Sequence, residues 1–131
     1  MAATITATYL PENTIAGDAD IRTKSVLCLA NVAAIPAFTP LKRDANSKCI
    51  PATAVGDKIV GITVPYMGSG YGGMVGKAIS LTDDYVEVFT HIDIYSSVIN
   101  FAAITGATTD AIKDAVFDST GINLVFAAAG F

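Results

Sequence analysis

Charged side chains are scarce in this 131-residue chain. Asp, Glu, Lys and Arg make up 15% of the residues, whereas an ordinary soluble domain carries about 25%. Apolar residues make up 52%. Two explanations fit these proportions: a small, alanine-rich β domain, or a subunit that buries part of its apolar surface against other chains. We favour the second, and the length fits one domain with a core of its own.

Basic residues are especially few. There are eight Lys and Arg against twelve Asp and Glu, and the longest basic cluster in the sequence is Lys42-Arg43. A nucleic-acid partner needs a basic footprint that neutralises phosphates, so we predict no nucleic-acid binding. A polybasic membrane anchor is excluded for the same reason. The longest nearly apolar run, residues 26–38, is interrupted by Asn31 and Pro36 and is too short to span a bilayer.

Two features bear on where the protein is made. The N-terminus lacks the basic and apolar regions of a signal peptide, which predicts synthesis in a reducing cytoplasm without secretion. The only two cysteines, Cys28 and Cys49, are widely spaced. In such a compartment two thiols are favoured, and a disulfide is the alternative.

Residues for catalysis or metal binding are also few. His91 is the only histidine, and no pattern pairs it with a nucleophile. A zinc site would need more ligands than Cys28, Cys49 and His91 supply. We expect His91 to be exposed or hydrogen-bonded, and Asp83-Asp84 to form a solvated turn rather than a calcium site. The sequence therefore predicts a protein that is not an enzyme and that holds no cofactor and no metal.

Glycines are concentrated in residues 67–76, where residues 68–73 match the pattern GxGxxG. A dinucleotide site also needs a helix directly after this pattern, so that the helix N-terminus can hold the pyrophosphate. Here the chain leads through Val75 and Gly76 toward another predicted strand. We therefore favour a loop at a bend or a contact point.

Strand patterns dominate from about residue 21 onward. In residues 85–94, alternation predicts that Val86, Val88, Thr90, Ile92 and Ile94 face one way, with Phe89 interrupting the polar side. The fold class that we predict is mainly β with one short α-helix. The predicted strands are residues 25–29, 37–43, 48–52, 58–64, 77–81, 85–94 and 122–126.

One segment has the pattern of a helix. Thr108 and Thr109 offer an N-cap, and Asp110 complements the dipole of the first turn. An apolar stripe follows, and Gly121 is a natural C-terminal stop. The stripe consists of Ile112, Ala115 and Val116. Turn chemistry is predicted at residues 44–47 and 55–57.

The N-terminal part of the chain differs from the rest. Ile5, Ala7 and Tyr9 alternate with threonines, and Pro11 ends this β-prone run. The linker that follows consists of small and polar residues. A single strand with such a linker gains too little from packing on its own chain to offset the conformational entropy that is lost on ordering. We predict an extended arm over residues 1–24 and a β-rich domain over residues 25–131. The residues expected to bind a partner are Thr4, Ile5, Thr6, Ala7, Thr8, Tyr9 and Leu10.

From Pro36 onward the chain resembles the lambda-type bacteriophage head decoration family. Short motifs occur in the family's order, and their order and spacing carry the resemblance. The chain is longer than the family pattern, with an insertion around the glycine-rich segment and a longer approach to the helix. The motifs are Pro36-Ala37-Phe38-Thr39-Pro40-Leu41, Asp44-Ala45-Asn46-Ser47-Lys48, Ala54-Val55-Gly56, Val60-Gly61-Ile62, Val88-Phe89-Thr90, Asp93-Ile94, and Asp110, Lys113, Phe117, Gly121 and Ile122 within residues 107–124.

The resemblance implies a β-clip-like compact domain with a short helix. It also implies a homotrimer on the outer surface of an expanded icosahedral head, where it would stabilise the shell against DNA pressure. In that family the N-terminal arm becomes ordered on the shell by pairing with strands of the major capsid protein. The arm predicted from the residues fits this role, because an extended segment can add to an exposed sheet edge.

Two other functions are open. The first is another virion structural subunit (a tail, fibre or minor capsid protein) or a cell-surface lattice protein, which composition does not separate from a decoration protein. The second is an enzyme on a related β scaffold, such as a nucleotide hydrolase. That enzyme would need clustered carboxylates for Mg²⁺ and a phosphate-binding motif, and the sequence offers neither.

Overall fold

The structure is a computed structural model that describes residues 20–30, 34–65, 77–78 and 82–126. The described part is mainly β with a single short α-helix, as the sequence predicts. The strands are β1 (Arg22–Cys28), β2 (Ala34–Ile35), β3 (Pro40–Arg43), β4 (Cys49–Pro51), β5 (Gly61–Thr63), β6 (Lys77–Ala78), β7 (Asp84–Tyr95) and β8 (Gly121–Val125). The helix is α1 (Asp110–Val116), and a 3₁₀ turn covers Ser96–Val98.

Five strands form a closed ring in the order β1, β4, β3, β5 and β7, because β7 also pairs with β1. All neighbours in the ring are antiparallel except β1 and β4, whose parallel pairing consists of Cys28 opposite Cys49. β8 extends the sheet by pairing in parallel with the second half of β7. β2 and β6 form a separate two-stranded sheet.

The interior of the ring holds one hydrophobic cluster, which we call the inner cluster. Directly opposed residues of neighbouring strands point to the same face. The registers oppose Cys28 to Cys49 and Val26 to Val86, so these ring residues share one face, and Ile35 of β2 packs with them. A ring of so few strands is filled by its own side chains. The inner cluster consists of Val26, Cys28, Ile35, Leu41, Cys49, Val86 and Val88.

A second cluster, the outer cluster, packs between the ring and the segment that carries α1. The strand β7 contributes to both clusters: Val88 belongs to the inner one, whereas Phe89 and Ile92 belong to the outer one. The register of β1 against β7 skips Thr90, which marks a β-bulge. The predicted alternation through Ile92 was therefore wrong beyond the bulge, because one extra residue moves the following side chains to the other face.

The strand predicted at residues 37–43 begins later, at Pro40. Phe38 has a φ of 59°, in the left-handed region that ends a strand. Two backbone hydrogen bonds hold it there: its N–H donates to the carbonyl of Thr63, and its carbonyl accepts from Asn100, both at 2.9 Å. Contacts far away in the sequence thus decide this local conformation.

The helix begins where the sequence predicts and ends earlier. The Thr109 hydroxyl accepts a hydrogen bond from the N–H of Ile112 at 3.3 Å, which confirms the predicted N-cap. The helix ends at Val116, and Ser119 (φ 66°), not Gly121, adopts the left-handed conformation after it. Gly121 instead starts β8, where a Cβ atom would lie 2.6 Å from the carbonyl of Thr90.

The predicted turns are confirmed. At residues 44–47, the Asp44 carboxylate accepts from the N–H groups of Asn46 and Lys48, and Ser47 adopts a left-handed φ of 64°. At residues 55–57, the Asp57 carboxylate closes the turn by accepting from the N–H groups of Thr53 and Ala54. Short polar side chains do this by bonding to nearby backbone.

The packing of the ring leaves no room for a side chain at Gly61. A Cβ atom at this position would lie 2.6 Å from the carbonyl of Phe89 and 2.8 Å from a Val88 methyl group. We predict that Gly61→Ala lowers the free energy of unfolding by about 2 kcal/mol, because an extra methyl group in a filled interior forces backbone shifts. Urea unfolding measures this. Gly56→Ala is the control, because nothing lies within 4 Å of its Cβ position; equal effects of the two changes would contradict the packing described here.

Candidate interaction surfaces

The residues predicted to bind a partner, 4–10, and the glycine-rich residues 67–76 lie outside the described residues. The body starts within the range predicted as arm, because β1 begins at Arg22. Thr23 pairs with Phe89 of β7, and its hydroxyl donates to the Glu87 carboxylate at 2.7 Å. The first residues of β1 are thus part of the ring.

His91 and the two cysteines, which were considered for catalysis or metal binding, have different surroundings. His91 is exposed on β7, and the Thr90 hydroxyl lies 3.1 Å from its Nδ1 atom, as expected for an exposed or hydrogen-bonded histidine. Cys28 and Cys49 are buried thiols that are not joined in a disulfide, which confirms the favoured interpretation. Burial raises the pKa of the Cys49 thiol, so its nucleophilic thiolate form is disfavoured.

Asp83 has a structural role that the sequence did not reveal. Its carboxylate lies 2.5 Å from the Nζ atom of Lys48 and accepts a hydrogen bond from the N–H of Ala30 at 2.7 Å. The Lys48 ammonium, followed by the Ala30 N–H, lowers the pKa of Asp83, and the pair raises the pKa of Lys48. Asp83 thus stays partly exposed, as a solvated turn requires, and in addition it joins three separate segments.

Four basic residues line one depression of about 610 Å³, which we call the basic depression: Lys24, Lys42, Arg43 and Lys58. These are half of the eight Lys and Arg in the chain. They come from β1, β3 and the segment before β5, so only two of them are adjacent in the sequence. Sequence inspection missed this cluster because the ring, and not the chain order, brings the four together.

One carboxylate, Asp57, partly neutralises the basic depression. It lies 3.1 Å from the Lys42 ammonium and accepts from the N–H groups of Thr53 and Ala54, each at 2.9 Å. The Thr53 N–H makes the largest contribution to lowering the pKa of Asp57, and the Ala54 N–H and Lys42 add to it. Lys58 makes no ion pair with any residue that the structure describes.

A second charged surface lies on α1. Asp110, Asp114 and Asp118 are exposed and recur every fourth residue, so they lie along one side of the helix and its exit. Ala111 and Ala115 are also exposed. Within the described part of the chain, none of the three carboxylates forms an ion pair. We call these five residues the acidic face.

The two charged surfaces are neighbours. Residues 56–59 line the basic depression and also line a second depression of about 450 Å³, whose other wall includes Ala115 and Asp118. Val55, at the start of the dividing segment, is 41% exposed. The two depressions therefore share the wall formed by residues 56–59, and Lys58 lines both of them.

A third surface is apolar. A depression of about 460 Å³ is lined by residues that include Leu29, Ile50 and Pro51. Tyr85, at the start of β7, is 60% exposed. Tyr85 does not line the depression, and single exposed apolar side chains of this kind are normal on protein surfaces.

No known family model matches this chain, and no curated protein matches it. Within the described ranges, no helix is long and apolar enough to cross a membrane. The same residues bring together no group of three or more His, Cys, Asp and Glu side chains that could hold a metal ion.

Asp57 gives the basic depression a testable pH dependence. Its folded pKa lies below the ordinary value of about 3.9, so its charged form contributes stability that is present above about pH 4 and is lost as the pH falls through the folded pKa. We predict that Asp57→Asn flattens the fall of the thermal midpoint between about pH 5 and pH 2. Asp110→Asn, which removes an exposed carboxylate without a described ion pair, is the control. An unchanged pH profile for Asp57→Asn would contradict this assignment.

Proposed function

We propose that this chain is a capsid decoration, or cementing, protein. In this proposal it binds as a homotrimer to the outer surface of the expanded icosahedral phage head and stabilises the head against internal DNA pressure. Its partners are the major capsid protein and further copies of itself. The protein is made in the host cytoplasm and located on the virion.

The closed ring is the observation that carries the proposal. Each of β1, β3, β4, β5 and β7 already has a strand neighbour on both sides. The β-prone residues 4–10 precede this ring in the chain and are not needed to complete it. A segment of this kind is suited to adding a strand to a sheet edge of another protein, with backbone hydrogen bonds for affinity and alternate side chains for specificity.

The family resemblance supports the same function. Its motifs fall on consecutive parts of the fold: the first covers the turn before β3 and the start of that strand, and later ones cover β5, β7, α1 and β8. The motif containing Asp44 forms the turn between β3 and β4. The resemblance therefore involves parts of the chain that fold together, instead of scattered fragments.

The proposed mechanism is mechanical. Packaged DNA presses outward, and an expanded shell has gaps where its subunits meet. A trimer that bridges neighbouring subunits adds buried area at each junction. Three arms per trimer give multivalent attachment, which can raise the overall affinity by about 10²–10⁴ over a single arm.

Removal of the arm tests this function. We predict that a chain without residues 1–20 keeps its folded body, because β1 begins at Arg22, and no longer binds expanded heads. The measurement is cosedimentation with DNA-free, expanded heads of the virus that encodes the chain, together with the heat resistance of those heads. Binding at the affinity of the full chain would rule out the arm as the attachment.

Two controls make this test specific. Ile5→Asp with Tyr9→Asp places charges on the apolar side of the predicted strand and should weaken binding as the deletion does. The matched pair Thr6→Ser and Thr8→Ser keeps polar side chains on the other side and should bind normally. Electron microscopy of labelled virions separates the alternative, because a decoration protein appears at regular capsid positions and a tail or fibre protein does not.

A further inference from the structure

We propose that residues 12–16 fold back on the start of β1 as an added strand, in a hairpin whose two-residue turn is Gly17-Asp18. This contact joins the root of the N-terminal arm to the body of its own chain. It goes beyond the proposed function and does not depend on it, because it follows from the backbone of β1 and from the sequence directly before that strand.

The first half of β1 has an open edge. β1 pairs with β7 from Arg22 to Cys28, but with β4 only at Cys28. On the side away from β7, the described residues therefore provide no strand partner for residues 22–25. Thr23 and Ser25 are exposed on this part of the strand. An edge of this kind can accept a further strand, because its N–H and C=O groups lack partners.

Hydrogen bonds near the two ends of β1 show which residues direct their backbone groups to the open side. The Leu29 N–H donates to the carbonyl of Cys49 in β4 at 3.0 Å. The Arg22 carbonyl accepts from the hydroxyl of Thr90 in β7 at 3.3 Å. Backbone groups alternate between the two sides of a strand, and the pairing with β7 has no shift of register after Thr23. Odd-numbered residues of β1, including Thr23, therefore direct their N–H and C=O groups away from β7.

The sequence before β1 favours a hairpin in the matching register. Gly followed by Asp is a signal for a two-residue hairpin turn, because the first position of a type II′ turn favours Gly. The first described residue, Asp20, lies only two positions after this pair and leads directly into β1. The hydrogen-bonded pairs that such a turn produces are Ala16 with Ala19, Thr14 with Ile21, and Glu12 with Thr23. The partners on the β1 side are all odd-numbered, as the hydrogen bonds of β1 require.

Pro11 fits the same register. It would lie opposite Lys24, at a position where the N–H points away from β1, so its missing N–H costs no hydrogen bond. Residues 4–10 lie beyond Pro11 and stay available for a partner. β7 already holds β1 in place, so the added strand completes a three-stranded arrangement and does not form an isolated hairpin. An arm with a fixed root has less conformational freedom to lose when it binds.

Amide hydrogen exchange measured by NMR tests this contact. The Thr23 N–H should exchange about tenfold or more slowly in the full chain than in a chain without residues 1–16, because its hydrogen bond has to open first. The Lys24 N–H is the internal control, since it faces β7 and should exchange equally slowly in both chains. The Hα atoms of Asn13 and Arg22 should also give a nuclear Overhauser effect, because a non-hydrogen-bonded pair brings the Cα atoms to about 4.5 Å.

Two proline substitutions form a matched pair. Thr14→Pro removes an N–H that faces β1 in this register and should speed exchange of the Thr23 N–H about tenfold. Asn13→Pro removes an N–H that faces away and should change that rate by less than about threefold. Gly17→Val disfavours the positive φ of the turn and should act like Thr14→Pro. Circular dichroism confirms that each variant is folded before exchange rates are compared.

Three outcomes would overturn the inference. The first is equal exchange of the Thr23 N–H with and without residues 1–16, and the second is an equal effect of the two proline variants. The third is slow exchange that disappears on dilution, because the added strand would then belong to another copy. Head binding is not part of this test, so loss of the hairpin leaves the proposed function standing, and failure of the proposed function leaves the hairpin standing.

Discussion

The pairing of β7 with three other strands is the interaction on which the rest of the described structure depends. β7 closes the ring against β1 and β5 and then continues beyond the ring to pair with β8. Before the bulge at Thr90, Val88 and Phe89 alternate between the inner and the outer cluster, and after it Ile92 lies in the outer cluster. Without that shift of one residue, the second half of β7 would turn its apolar side away from the helix segment.

Much of the fold was predictable because its signals are local. Alternating residues indicated the strands, and Thr109 followed by an apolar stripe indicated the helix. The conformation of Phe38 was not predictable, because its left-handed φ depends on bonds to Thr63 and Asn100 rather than on its own residue type. Gly121 was misinterpreted for a similar reason: a glycine after a helix favours a helix end, and the close approach of Thr90 appears only in the folded sheet.

The candidate surfaces were less predictable than the fold. The β-prone arm could be predicted because its alternation lies within one segment, and it stays a prediction because residues 4–10 lie outside the described residues. Sequence order did not reveal the basic depression, since Lys24 and Lys58 are far apart in the chain and meet through the closure of the ring. It also did not reveal the ion pair of Lys48 with Asp83, which joins the turn after β3 to the start of β7.

The low overall charge takes on a different meaning once the positions of the charges are known. A chain with few charges can remain soluble as a monomer if those charges are dispersed over its surface. Here half of the basic residues share one depression, and three acidic residues share one side of α1. Contact with an oppositely charged partner would relieve the repulsion within each surface. A partner that binds only the folded state also stabilises that state by mass action. On this argument, charge placement and apolar composition both favour a subunit whose most stable state is reached in contact with other chains.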